Sequence, residues 1–382
     1  MEIKLRKTFF MAVRLLTEND LEINRPLKWP IYNSKGKLLF KRGTIFHSGS
    51  QIREVVASRS IIKVLEDEVE AAIIDDSMSP FQQIELVLNR IDDIYQSILQ
   101  SPSSSSDSID DLLSISKDII TLCKFDIDAT IGSIHVGETR KYTVIHPLSC
   151  AIISYSIASK LGLSKQKITV LICAALTSNL GMYELQNELV DQKSTLTKEQ
   201  RKEVEKHTMR SAVLLKRIGT TDELWMEIVL QHHEKEDGSG YPRRLSGEDF
   251  IQEARILGIA DRYHAMVSPR EYREGFSPTE ALKRIFVDRG KEVDEGISAL
   301  LIKEMGIFPP GSFVTLANDE IAIVVRRSEN RKHPLVKSII DAGGKVYKTP
   351  ISRDSSDKAF RITGLSNPPK KYQQDLLTLW DY

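Results

Sequence analysis

His232-His233-Glu234-Lys235-Glu236-Asp237-Gly238-Ser239-Gly240-Tyr241-Pro242 is the stretch on which the reading of this chain turns. Before it, Trp225, Ile228, Val229 and His232 fall at i, i+3, i+4 and i+7. That spacing predicts a helix whose core-facing stripe ends in a histidine. The Asp-Gly-Ser-Gly-Tyr-Pro run then breaks the helix with turn-forming residues. Neutral imidazole is the commonest protein ligand for divalent transition metals, and a glycine-rich turn behind such ligands lets backbone approach a bound anion. Further on, Leu257, Asp261 and His264 share one helix face. An ionised aspartate on an apolar face needs a partner, which the sequence offers as a metal, a histidine or the neighbouring Arg262.

Working outward, Tyr-Thr-Val-Ile-His occupies 142–146 and Ser178-Asn179-Leu180-Gly181-Met182 ends an apolar segment. Glu-Lys-His occupies 205–207, Ala-Arg-Ile-Leu-Gly-Ile-Ala-Asp 254–261, and Ser-Pro-Arg-Glu-Tyr-Arg 268–273. From about Tyr142 to about Gly306 these segments, around the 232–242 string, resemble the HD-GYP family of metal-dependent cyclic di-GMP phosphodiesterases. The resemblance implies metal ligands at His146, His207, His232, His233 and Asp261, and dinucleotide contacts from Arg270, Tyr272 and Arg273. It also implies that Asp237, Gly238, Gly240, Tyr241 and Pro242 contact the dinucleotide or dock a diguanylate cyclase domain or other signalling protein.

The chain departs from the family where the chemistry is concentrated. Ser178-Asn179 stand in place of the H-D pair, and Met182 in place of a lysine that approaches phosphate. His264 stands where the pattern usually has aspartate, and Tyr142 where some members add a carboxylate. Hydrolysis by two ions roughly 3.5–4 Å apart needs a bridging anion to offset their repulsion, and a neutral amide is a poor substitute for a carboxylate. No catalytic residue is therefore assigned. The five remaining ligands are expected to bond to one another or to hold one weakly bound divalent metal (Fe, Mn or Zn). Dinucleotide binding would then rest on Arg270, Arg273 and backbone donors of the 237–240 turn. The implied function is a cyclic di-GMP binding or regulatory module with little or no turnover. Two alternatives stand beside it: an active phosphodiesterase with a rearranged metal site, and a scaffold without nucleotide binding whose exposed Gly240-Tyr241-Pro242 loop a partner covers.

Composition bounds the rest. A chain of 382 residues accommodates two or three domains. Lys plus Arg equals Asp plus Glu at 53 each, so no global field favours nucleic acid or an anionic membrane. No membrane-length apolar run and no signal-like N-terminus is read, so a cytoplasmic location without membrane insertion is expected. Cys123, Cys150 and Cys173 lie in apolar patterns and read as small buried hydrophobes.

The expected fold class is a multidomain α+β chain, an all-α HD-type core flanked by small β-rich modules. Residues 1–75 read as the N-terminal module, with a hairpin of Trp29-Pro30-Ile31-Tyr32 and Leu38-Leu39-Phe40 around an Asn-Ser-Lys-Gly turn and followed by Gly43. Residues 76–125 read as an amphipathic helical hairpin with a serine-rich break at 101–108. Its first stripe (Ile84, Val87, Leu88, Ile91, Ile94, Tyr95, Ile98) suits intramolecular packing better than a dimer seam. Residues 126–305 read as the helical core. Residues 306–382 read as a small β module opening with a hairpin around Asn318-Asp319, with a further turn at Gly343-Gly344.

Overall fold

The structure, a computed structural model, describes residues 11–16, 31–32, 38–41, 44–57, 61–65, 78–100, 108–136, 141–269, 274–329, 332–367 and 376–382, with single positions at 21, 23, 25 and 27. Trp29-Pro30, the turn at 33–36, Gly43, residues 101–107 of the serine-rich break, and Arg270, Tyr272 and Arg273 lie outside these residues. The chain divides into two units, Met1–Asp75 and Asp76–Tyr382.

In the first unit β1 (Met11–Leu15), β2 (Ile31–Tyr32), β3 (Leu38–Phe40) and β4 (Ile61–Leu65) form an antiparallel sheet in the order β1-β4-β2-β3. The hairpin register pairs Ile31 with Phe40 and Tyr32 with Leu38. Helix α1 (Gly49–Ala57) adds Ile52 and Val55 to a core of Leu16, Leu27, Ile31 and Phe46. The sequence reading did not anticipate this helix.

The second unit is mostly helical. Helix α2 (Pro80–Gln100) buries its whole predicted stripe, from Ile84 to Ile98, against helices of the same unit. Its main partner is α3 (Ser108–Phe125), and an Arg90–Asp118 ion pair ties the two together. After α4 (Ile127–Val136) come α5 (Tyr142–Lys160) and α6 (Lys165–Thr177), closely packed on each other. Lys165–Val190 is apolar and long enough to span a membrane, yet 72% of its apolar window is buried in the fold. Burial inside the protein accounts for that composition, because a helix apolar all round is what a core requires.

A 3₁₀ turn, Leu180–Met182, leads to α7 (Tyr183–Val190), α8 (Lys198–Glu205), α9 (His207–Arg217) and α10 (Glu223–Gln231). Asp222 caps α10 by accepting the Trp225 N–H at 2.9 Å. The Trp225 indole in turn donates to Thr177 Oγ1 at 2.8 Å, which fixes α10 against the end of α6. Helix α11 (Gln252–Val267) packs on α5, and α12 (Pro278–Asp288) and α13 (Glu295–Met305) complete the helical part.

The chain then forms an antiparallel five-stranded sheet from β5 (Phe313–Leu316), β6 (Ile321–Arg326), β7 (Leu335–Ile340), β8 (Val346–Asp354) and β9 (Ile362–Leu365), in the order β8-β7-β6-β5-β9. The expected hairpin is β5/β6, with Phe313 opposite Ile323 and Asp319 at positive φ in its turn. Alternate residues face opposite sides. Phe313, Ile323 and Val325 join Phe81, Ala129 and Val136 of the helices, while Val314, Ala322, Val324 and Val336 form a separate cluster. A last helix, α14 (Leu376–Trp380), inserts Leu379 and Trp380 into the first of these clusters. The result is an α+β arrangement, a helical core carrying a C-terminal antiparallel sheet.

Candidate functional site

Two groups of ligand-type side chains lie at the junction of α5, α9, α10 and α11. The first is His207, His232 and His233, and the second His146, Cys150 and Asp261; within each group one donor atom per residue lies within 4.8 Å of the others. His207 opens α9 and His232 caps α10. Helix α11 approaches the α10 terminus closely at Gly258, where a Cβ would meet the His232 carbonyl at 2.6 Å.

In the first group the proton positions follow from the backbone. His207 Nδ1 donates to the Val204 carbonyl at 2.5 Å, and His232 Nδ1 to that of Val229 at 2.7 Å. Their Nε2 atoms face each other at 3.3 Å. Burial, together with the neighbouring His232 charge, pushes His207 down to about 3; burial and His233 push His232 down to about 3. Burial likewise lowers His233 to about 4. At neutral pH the two facing Nε2 atoms therefore carry lone pairs and no proton. A divalent cation resolves this acceptor-to-acceptor contact, and Nδ1–H bonds to backbone carbonyls are the usual support for metal-ligating imidazoles. The donor chemistry of this group fits a metal ion.

The second group is closed on itself. His146 Nε2 donates to Asp261 Oδ1 at 2.8 Å. Its Nδ1 faces His264 Nδ1 at 2.8 Å and the Tyr142 hydroxyl at 3.1 Å, and the Tyr142 ring stacks on it. Burial alone would raise the Asp261 carboxyl, but the His146 bond and the surrounding histidines hold it well below the usual carboxylate range. Of the two side chains expected as partners for Asp261, it is a histidine that meets it; Arg262 pairs with Glu292 at 2.8 Å and with Asp288. Cys150 Sγ lies 3.7 Å from His146 Nε2. Its helix-period spacing from His146 (i, i+4) was available in the sequence, but Cys150 was read there only as a buried hydrophobe.

Three of the departures, Ser178, Asn179 and Met182, follow directly on α6. The Ser178 hydroxyl donates to the Ala175 carbonyl at 3.2 Å, and both Ser178 and Asn179 are buried. Asn179 Oδ1 is a buried acceptor with no donor among the described residues. Met182 lines an apolar cavity of about 590 Å³ with Leu180, Leu185, Met209 and Val213.

Behind the histidines the 237–242 turn folds back on its own chain. Gly240 is buried, and a Cβ there would meet Glu234 Cα, the His233 carbonyl and Lys235 N at 2.5–2.6 Å. Glycine is thus required for close approach to 233–235. Tyr241 stacks on His233 with centroids 4.8 Å apart. The expectation of an exposed Gly240-Tyr241-Pro242 loop is corrected: Gly240 is buried and Tyr241 and Pro242 are half-buried, because the ring and the glycine close over His233. Three backbone donors of this stretch are engaged within the chain. Gly238 N donates to the Lys235 carbonyl, Ser239 N to Asp237 Oδ1 and Tyr241 N to the His233 carbonyl. Glu234, buried, holds the far side by accepting the N–H groups of Arg243 and Leu245.

A cleft of about 420 Å³ opens beside His232, His233 and Asp261. Among its lining residues the charged groups are Glu234, Glu236, Asp261, Glu292 and Asp294 against Lys235, Arg255 and Arg262. All three cations are paired, Arg255 with Glu236 at 2.6 Å, and Lys235 with Glu292 at 3.0 Å alongside Arg262. The cleft is anionic, so a phosphate ligand gains little there without a bound cation.

The fold and these groups define a helical domain that gathers ligand-type side chains where four helices meet. Residues 137–297 match the family described as HD domain, and this part of the chain is an HD domain, with relatives of the HD-GYP type. The cyclic di-GMP phosphodiesterase PdeB of Borreliella burgdorferi is 27% identical over 214 residues, 55% of this chain and 55% of that protein. The cyclic di-GMP phosphodiesterase PA4108 of Pseudomonas aeruginosa is 26% identical over 220 residues, 57% of this chain and 53% of that protein. The chain spans about half the length of these curated relatives. Among solved structures, Bd1817, an HDG"Y"P protein from Bdellovibrio bacteriovorus, matches with TM-score 0.53 and 17% identity, covering 76% of this chain and 99% of that one, a likeness of fold.

Proposed function

We propose that the chain is a cyclic di-GMP signalling protein whose HD domain binds or regulates and turns over little or no dinucleotide. The observation that carries this reading is Ser178-Asn179 at the positions where the family holds a metal-bridging pair. The relatives named as cyclic di-GMP phosphodiesterases supply the substrate class. The anionic cleft favours cation-dependent binding of a phosphate ligand. Those same paired cations also favour a second reading, a scaffold that binds no nucleotide.

The test compares the unaltered chain with a Ser178→His/Asn179→Asp double variant, each loaded with Mn²⁺ or Fe²⁺ and assayed for cyclic di-GMP hydrolysis. Hydrolysis is expected to rise at least tenfold in the double variant. Robust hydrolysis by the unaltered chain would overturn the reading. Calorimetric titration of cyclic di-GMP into the unaltered chain, with and without metal, separates module from scaffold: heat only with metal supports binding, and none in either condition supports the scaffold.

A further inference from the structure

We propose that the groove between residues 180–185 and the outer face of α9 docks an amphipathic helix of a partner protein, one whose apolar stripe is flanked by aspartate and glutamate. The inference does not rest on nucleotide binding. On α9, His207, Ser211, Ala212 and Leu215 are buried, whereas Met209 and Val213, one turn apart, are 51% and 47% exposed. By helical spacing these two share a face turned away from His207. An occupant there does not compete for the histidine group.

Leu99 of α2, Leu180, Met182 and Leu185 complete the apolar lining, around a volume of about 590 Å³. The floor is fixed by close contact between the 180–182 turn and α9. Gly181 N donates to Ser211 Oγ at 2.8 Å, and that hydroxyl donates to the Ser178 carbonyl at 2.7 Å. A Cβ at Gly181 would meet Ser211 N and the His207 carbonyl at 2.5–2.6 Å. The trough is therefore preformed, while Met182 and Met209 adapt its walls to an occupant. Its exposed side follows the 11 residues of α9, a length of about 16 Å or three helical turns. Such a trough suits a helix anchored at i, i+3 or i+4 and i+7. Met182 and Leu185 are half-buried, which fits inserted side chains better than the flat surface of a bilayer.

Charge selects the partner. Helix α9 contains no carboxylate, and Arg210, Lys216 and Arg217 on it are exposed, as is Lys206 just before it. Glu203 pairs with Lys206 and Arg210, but exposed ion pairs of this kind exchange partners at little cost. Lys216 and Arg217 have no carboxylate partner among the described residues. In the lining itself Arg210 and Arg217 stand against one carboxylate, Glu184. A cationic margin on an apolar trough favours an acidic-flanked helix and disfavours a basic one.

The experiment titrates the full chain into a labelled helical peptide of about four turns, with leucine along one stripe and glutamate on both flanks, and reads fluorescence anisotropy. Saturable binding is expected, weakened by salt. The same peptide with lysine for glutamate should bind at least tenfold more weakly, a comparison that needs only the unaltered chain. Affinity for the glutamate peptide should fall at least tenfold in Met209→Asp/Val213→Asp. Lys216→Glu/Arg217→Glu should reverse the preference toward the lysine peptide. All four positions are exposed, so both variants should keep the melting temperature of the unaltered chain. No binding of the glutamate peptide, equal binding of the two peptides, or undiminished binding by Met209→Asp/Val213→Asp would overturn the proposal. So would a dimer of the unaltered chain in sedimentation equilibrium that Met209→Asp/Val213→Asp abolishes, because the groove would then belong to a second copy.

Discussion

His207 and His232 meet Nε2 to Nε2 because each Nδ1–H is tied to a carbonyl three residues back. Burial keeps these rings neutral, and that has a pH consequence for the metal-free protein. His207 and His232 are pushed down to about 3, and His233 and the half-buried His135 to about 4, all below the ordinary value of ~6.5. Between those limits the unfolded chain takes up protons that the folded chain refuses. Their contribution to stability is therefore fully present above about pH 6.5 and is lost as pH falls toward 3–4, at about 1.4 kcal/mol per pH unit per group. Asp261, also held low, acts in the same direction at more acid pH. The melting temperature of the metal-free chain is expected to fall steadily from pH 7 to 4.5, and His135→Gln should flatten part of that slope. A melting temperature indifferent to pH across this window would contradict the buried neutral rings. The ligand residues themselves were legible as a spaced set. Which atoms would pair was not, because the Asp261 to His146 bond and the His135 contacts to Tyr263 and Pro310 join residues 115, 128 and 175 positions apart.

At the scale of elements, the legible ones were those whose apolar residues keep a period. Helix α2 buries the residues its spacing selects, and the β5/β6 hairpin lies where its turn residues put it. Strand β8 was not legible, since it is a largely exposed strand held through its backbone pairing with β7 and carries no alternating apolar signal. The 237–242 turn was legible as a turn, whereas the burial of Gly240, which the scaffold reading expected to be exposed with Tyr241 and Pro242, was not, because close backbone approach leaves no mark in local composition. That approach can be tested directly. In Gly240→Ala the new Cβ meets only backbone atoms, so the turn must move away from 233–235 and the Tyr241–His233 stack must open. Overpacking of this kind costs about 1–3 kcal/mol. Thermal denaturation should register that loss, and Co²⁺ affinity should fall at the His207/His232/His233 group. Unchanged stability and affinity would mean that the turn tolerates displacement and does not shape the site.

At the scale of the second unit, the C-terminal sheet is joined to the helices through a small number of side chains. Asp126 caps the start of α4 while accepting from Arg326 of β6 at 2.8 Å and from the Tyr382 hydroxyl at 2.6 Å. Arg327 pairs with Asp128, and the nearly buried Lys337 of β7 donates to the Thr378 carbonyl at 2.9 Å and pairs with Asp381. At the centre is Trp380, which packs edge-on to Phe81 of α2 at 5.3 Å and lies so close to Gly132 of α4 that no Cβ fits there. The indole thus touches two helices, and it shares a buried cluster with Ile323 and Val325 of β6. Trp380→Ala removes a buried aromatic side chain that no neighbour can replace, a change that costs about 3–5 kcal/mol. Tyr382→Phe removes a single hydrogen bond to a charged group, worth roughly 1.5–3 kcal/mol. In urea denaturation of the full chain, the unfolding midpoint should fall in both variants and fall further in Trp380→Ala. If α14 only decorates the surface, both midpoints will stay at that of the unaltered chain. If the helix clamps sheet to helices, as Trp380, Lys337 and Tyr382 together imply, Trp380→Ala will also bring forward the loss of near-ultraviolet signal from the remaining tryptophans.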